Sequence, residues 1–172
     1  CYIDTGGLEC LIEVQKLQEL VKGGMIAQSH LPANRINMST IKFGGLEKFV
    51  LNVRDPRQAL LSWTHNLGNS FKEEADKPKN VSLLNYVYYA TEIGYDDFPK
   101  NYFDFSLEDQ ISFQIDNYFL KEIHWIEAWL KIKKSDQWKN KILITKHEDL
   151  VAEPFLFFKK ILEFYDIQKE ID

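Results

Sequence analysis

Residues Lys48–Asn66 read KFVLNVRDPRQALLSWTHN, and this stretch decides the fold. Phe49–Val53 is a short run, apolar but for Asn52, behind a Gly-Gly pair, and reads as a buried strand. Asp55-Pro56 then starts a helix: an aspartate can accept from the free N–H groups of a first turn, and proline fits a position that needs no donor. Ala59, Leu60 and Trp63 give that helix an apolar side. Arg54 leaves the end of the strand, and Ser62 follows eight positions later, about two turns into the helix.

The same alternation extends outward. Leu11, Val14, Leu17, Leu20 and Val21 recur at helical spacing, which predicts a helix over Leu8–Val21 that Gly23-Gly24 ends. Met25–Ala27 is a short apolar strand running into Gln28–Pro32, and Pro32 with the Asn34–Asn37 cluster predicts a loop. Asn69–Asn80 is polar and charged and reads as a mobile surface loop. Leu83–Ile93 reads as a helix closed by Gly94, and Tyr95–Phe105 as an irregular aromatic segment. Ser106, with Asp109 three residues on, resembles a capping box, and Leu107, Ile111, Ile115, Phe119, Ile123, Ile126 and Leu130 step along one face of the helix it opens. Ile142–Ile144 is a further strand, Glu148–Leu150 a turn, and Pro154 starts a last helix carrying Phe155, Phe158, Ile161, Leu162 and Tyr165. Strands alternating with helices predict an α/β fold, one domain over residues 1–172 with a central parallel sheet and helices on both faces. In such sheets ligands bind beyond the carboxyl ends of the strands, where His30 and Arg54 fall.

Composition bounds the function. The chain has 172 residues, 45% apolar and 27% charged, enough to bury a core of its own. Its net charge of −5 argues against a general electrostatic grip on nucleic acid, while leaving room for a local anion site. No run has the apolar length of a membrane helix. Two cysteines, Cys1 and Cys10, supply neither a disulfide framework nor a metal-binding spacing, and a reducing, cytoplasmic setting is expected.

Among the polar residues, Arg54, Arg57 and Ser62 could meet an anion at the strand end together with the positive end of the helix. By spacing alone, a surface ion pair and a helix hydroxyl is the better reading. Histidine is a natural general base near neutrality, but His30 by itself does not carry a catalytic assignment. His65, His124 and His147 have still less to single them out, and no pair of histidines has zinc-motif spacing. Tyr86, Tyr88, Tyr89, Tyr95, Phe98, Tyr102, Phe103 and Phe105 fit either ordinary packing or an acceptor pocket, with packing the better reading. Lys131, Lys133 and Lys134 read as a solvated helix end. Asn37 and Asn80 match the glycosylation triplet, a pattern that chance alone often produces.

Taken in order, three stretches resemble one family, the sulfotransferases that use 3′-phosphoadenosine 5′-phosphosulfate (PAPS). Lys48–Asn66 resembles the family's strand, Arg and following Ser that bind the 3′-phosphate, with Arg54 and Ser62 on those two positions. Gln28–Pro32 (QSHLP) resembles its Lys-Thr-His-Leu-Pro stretch, with His30 on the catalytic base. Ile142–Tyr165 resembles its later strand, Glu-Asp-Leu turn and helix, and Trp125 and Trp129 are similar more weakly. The resemblance implies a P-loop-like fold, PAPS as donor with 3′-phosphoadenosine 5′-phosphate (PAP) as product, no metal, and an acceptor hydroxyl or amine on a small molecule, carbohydrate or protein. It implies His30 as base, Gln28 near the transferring group, and Arg54 and Ser62 at the nucleotide, where Arg57 adds positive charge by its position.

Three departures accompany it. The family's Pro-Lys-Ser-Gly-Thr-Thr loop, which cradles the 5′-phosphosulfate, has no match; Asp4–Gly7 lacks its Lys and reads as a ragged start or linker, with a degenerate loop as the remote alternative, so the chain is expected to begin after that loop, partly truncated. Gln28 stands where cytosolic members have Lys, and an amide brings a donor without the charge. The later Arg-Lys-Gly segment has no counterpart. Two functions therefore stand side by side: a PAPS-dependent transferase, and a non-catalytic nucleotide-binding or interaction module of the same fold. A small-molecule kinase is disfavoured, since no Gly-x-x-x-x-Gly-Lys-Ser/Thr run is present. The acceptor, and whether the protein forms a homo-oligomer, are not legible.

Overall fold

A computed structural model describes residues 2–4, 11–23, 26–75, 99 and 101–168, with backbone alone for 2–4 and 68–75. They fall into two compact units, Cys1–Asp55 with Trp125–Asp172, and Pro56–His124.

The first unit holds the strands. β1 (Tyr2–Asp4) pairs in parallel with β2 (Ile26–Gln28), and β3 (Phe49–Val53) in parallel with β4 (Ile142–Lys146). The pairing is parallel throughout, as the α/β expectation requires, and it forms two two-stranded sheets. β1 corrects the reading of Asp4 as part of a ragged start: Tyr2–Asp4 is a strand in register with β2, while residues 5–10 lie outside the described residues.

α1 covers Val14–Val21 and begins later than its periodicity predicts. Glu13 is extended, and the Ile12 N–H donates to Asn37 Oδ1 at 3.1 Å instead of entering a helical turn. The Asn34–Asn37 cluster, expected as a loop, opens α2 (Arg35–Gly44). Asn34 caps it by accepting from the Asn37 N–H at 2.8 Å, so asparagines that signal a turn here signal a helix start. Gly45 ends α2 at φ 81°, a left-handed conformation that glycine adopts at no steric cost. Leu17, Ile41, Leu51, Trp129, Trp138 and Ile142 make the core, and Phe49 stands edge-on to Trp129 with ring centroids 5.5 Å apart. Across the paired register Asn52↔Thr145, the buried Thr145 hydroxyl donates to Asn52 Oδ1 at 3.0 Å.

In the second unit α3 runs Pro56–Ala75. It takes in Asn69–Ala75, the first part of the expected loop, because Lys72, Glu73, Glu74 and Ala75 are good helix formers however polar they are; residues 76–80 and the expected helix Leu83–Ile93 lie outside the described residues. A single 3₁₀ turn, Tyr102–Asp104, precedes α4 (Leu107–Gln114). Ser106 caps α4 as expected, its hydroxyl oxygen accepting from the Asp109 N–H at 3.1 Å. Leu67 and Tyr102 are wholly buried among Trp63, Phe103, Phe105, Phe113 and Tyr118. Tyr102, Phe103 and Phe105 are therefore packing residues, and Gln114, also fully buried, donates to the Tyr102 hydroxyl at 2.9 Å.

The long helix expected from Ser106 onward is interrupted by a π-helical turn, Ile115–Phe119, before α5 (Leu120–Lys134). That turn shifts the helical register, so one stripe cannot stay inward along the whole length. Leu107, before the turn, is already exposed, as are Ile115 within it and Leu130 beyond it, and Phe113, Tyr118, Trp125 and Trp129 take packed positions. After β4 the expected turn is a short helix, α6 (His147–Ala152), and Pro154 starts α7 (Pro154–Phe164) as read. α7 buries Phe157 rather than Phe155 or Phe158, which are half exposed. Its last carbonyl, Phe164 O, accepts from Lys48 Nζ at 2.8 Å, a cation at the negative end of a helix.

Candidate functional site

The two strand ends that the sequence singles out both lie in the first unit. Gln28 closes β2, and Ser29 and His30 follow outside any regular element; Gln28 and His30 are exposed. One residue further, the carbonyl of Leu31 accepts two indole N–H groups, from Trp125 Nε1 at 2.7 Å and Trp129 Nε1 at 2.9 Å. The tryptophans stand four apart on α5, one turn along the same face, which is why both reach one acceptor. Beyond Leu31, the Asn37 side-chain amide donates to the Pro32 carbonyl at 3.1 Å. The segment after His30 is thus tied to α5 and α2 by three side-chain donors.

Arg54 follows β3 and is half buried; its Nε is buried with no hydrogen-bond partner among the described residues. A buried guanidinium N–H without an acceptor is costly, and an anion is the acceptor that best satisfies it. The next backbone donor, the Asp55 N–H, is taken by Glu148 Oε1 at 3.0 Å, from α6 and 93 residues away. That donated N–H, followed by Glu148's own backbone N–H, holds the Glu148 carboxyl below its ordinary value.

Arg57 and Ser62 lie in the second unit, on the first two turns of α3, and both are exposed. No hydrogen bond among the described residues joins His30 to Arg54. His65 and His124 are exposed and His147 is half buried. The described residues contain no group of histidine, cysteine or acidic side chains able to hold a metal ion, and no helix long and apolar enough to cross a membrane. Asn37 is wholly buried and hydrogen-bonded on both sides, so its glycosylation triplet is a coincidence of sequence; Asn80 lies outside the described residues.

Against the protein families, the sulfotransferase domain matches residues 9–172. The chain belongs to the sulfotransferase domain family. The match covers nearly the whole sequence and runs through both units. No curated protein and no solved structure gives a match alongside it. Membership makes this a transferase domain by family, with sulfuryl transfer as the family's chemistry. The bond made by Glu148 has no signal in the sequence reading, and Trp125 and Trp129 have only a weak one. The i, i+4 spacing of Trp125 and Trp129 was a visible signal, whereas the bond from Asp55 to Glu148 joins residues that only the parallel pairing of β3 and β4 brings together.

Proposed function

We propose that this sulfotransferase domain binds PAPS and moves its sulfuryl group to an acceptor hydroxyl or amine. The observation that carries the reading is the buried Arg54 Nε, which lacks an acceptor from the described residues and suits an oxygen of the nucleotide's 3′-phosphate. PAPS, when bound, supplies an activated sulfuryl group. Arg54 holds the 3′-phosphate, and Ser62 and Arg57 add a hydroxyl and a positive charge to that task. His30 takes the acceptor's proton on an imidazole nitrogen as the acceptor oxygen or nitrogen bonds to sulfur and the bond from sulfur to the 5′-phosphate oxygen breaks, releasing PAP, and Gln28 donates an amide N–H to the transferring group. No metal takes part in this scheme. The acceptor is a small molecule, carbohydrate or protein, and a cytoplasmic setting accords with the sparse cysteines.

Calorimetric titration with PAP, against AMP as the ligand lacking a 3′-phosphate, tests the nucleotide half. PAP is expected to bind at least tenfold more tightly than AMP, and Arg54→Ala to abolish that preference, since a charge-assisted hydrogen bond is worth roughly 10- to 100-fold. Equal affinity for the two ligands refutes the assignment. For the chemical half, His30→Ala is expected to retain PAP binding and lose transfer of label from sulfur-labelled PAPS to phenol, sugar and amine acceptors. Unchanged transfer would remove His30 as the base.

A second reading rests on Gln28. Where a lysine would neutralise charge on the transferring group, glutamine offers only a dipole, as a nucleotide-binding module without turnover would. PAP binding without label transfer to any acceptor, and with Gln28→Lys restoring none, is the outcome that favours it.

A further inference from the structure

We infer that Glu148 is a positioning residue for Arg54, holding the backbone that presents the guanidinium to an anionic ligand. The inference rests on the assignment of Arg54 to a phosphate. It starts from strand register. Val53 pairs with Lys146 at the ends of β3 and β4, so the two chains leave the sheet at the same level and in the same direction. Asp55 stands two residues past one strand end and Glu148 two residues past the other. At that distance a glutamate side chain spans the gap, and its Oε1 accepts the Asp55 N–H at 3.0 Å.

The peptide so held is the one joining Arg54 to Asp55. Pro56 comes next and has no N–H, so the Asp55 N–H is the last backbone donor before α3 takes over the chain. Fixing it fixes the ψ angle of Arg54 and thereby the direction in which its side chain leaves the strand. The acceptor is a carboxylate, which makes the bond charge-assisted. It is drawn from a different element, so the restraint survives fluctuations of the β3–α3 turn itself. A binding group held in place before the ligand arrives loses less freedom on binding, and the gain appears as affinity.

The test uses the full chain and PAP in calorimetry, with Arg54→Ala, Glu148→Ala, Glu148→Gln and Glu148→Asp. Glu148→Ala is expected to weaken PAP binding about tenfold, the scale of one charge-assisted hydrogen bond. Glu148→Gln keeps an oxygen acceptor at the same reach and is expected to recover most of the affinity, while Glu148→Asp, shorter by a methylene, is expected to fall with Ala. The Asp55 amide proton, followed by NMR in the ligand-free protein, should move upfield in the Ala and Asp variants and stay near its place in Gln. Wild-type PAP affinity in both Glu148→Ala and Glu148→Asp, with binding still lost in Arg54→Ala, overturns the positioning role and leaves the nucleotide reading intact. Wild-type affinity in Arg54→Ala overturns both. Should Glu148→Ala not fold, the comparison of Gln with Asp decides alone, and equal affinities for those two overturn the proposal.

Discussion

Trp129 donates its indole N–H to the carbonyl of Leu31 at 2.9 Å, across 98 residues of sequence, and shares that acceptor with Trp125. The same indole packs edge-on against Phe49 of β3. One side chain therefore connects the segment that carries His30 with the strand that leads to Arg54.

Replacing Trp129 by Phe keeps most of the apolar surface and removes one of the two donors. Because Trp125 still satisfies the carbonyl, a loss of about 1 kcal/mol is expected in urea unfolding. Trp125→Phe alone should cost a similar amount. The double variant leaves the Leu31 carbonyl without its donors and is expected to cost more than the sum of the two. Strict additivity would mean that the two bonds do not share one acceptor in solution. Trp129→Ala, which empties a core position, should cost roughly 3–5 kcal/mol.

Gly44 marks the contact between α1 and α2. A Cβ added there would stand 2.5 Å from Leu17 Cδ2 and 2.9 Å from Cγ, and Leu17 is buried with little room to turn aside. Gly44→Ala is expected to destabilise the fold by about 1–3 kcal/mol, despite alanine being the better helix former. Leu17→Val or Leu17→Ala in the same chain should give back part of that loss, which a double-mutant cycle by denaturant unfolding would detect. No coupling between the two positions would show that the helices are further apart than this packing has them.

Asn37 makes a comparable point with polar atoms. Its side chain accepts from the Ile12 N–H and donates to the Pro32 carbonyl, tying the start of α1 to the chain beyond His30. Asn37→Ala strands both partners and should cost about 2–6 kcal/mol at roughly 1–3 for each group left unpaired, with enhanced amide exchange at Ile12 as the local sign. Asn37→Asp keeps the acceptor, loses the donor and buries a charge, so it should be the worse of the two at neutral pH and become the better one as the pH falls, when its protonated carboxyl loses the charge and regains a donor.

Much of this was legible from the chain. Phe49–Val53 and Asp55-Pro56 each carry their structure in local chemistry, as do Ser106 with Asp109 and Pro154, and the family followed from three ordered stretches. The failures share a cause. Asn34 and Asn37 favour turns and helix starts alike, and the choice was made by partners at Ile12 and Pro32 that no local pattern names. Hydrophobic periodicity after Ser106 gives one stripe, since a π-helical turn leaves no clear mark in it. Lys72–Glu74 were read by polarity where helix propensity decides. At the candidate site the charged residues could be named in advance, but the groups that hold them, Glu148 and the two tryptophans, depend on strand register and helix packing.

Glu148 also leaves a signature in the dependence of stability on pH. Its carboxyl is held low in the folded protein, chiefly because the Asp55 N–H donates to the carboxylate. In the unfolded chain that donor is gone and the ordinary value returns. A lowered folded value means that the ionised form favours folding. The contribution is complete above the ordinary glutamate value and is lost as the pH falls through the lowered one. Acid titration followed by circular dichroism should therefore show the wild type losing its advantage over Glu148→Gln within that window, while the difference between them stays constant above it. The amide that Glu148→Gln introduces accepts a hydrogen bond but does not titrate, so a wild-type-minus-variant difference that is flat through the acid range would place the Glu148 carboxylate in solvent rather than on the Asp55 N–H.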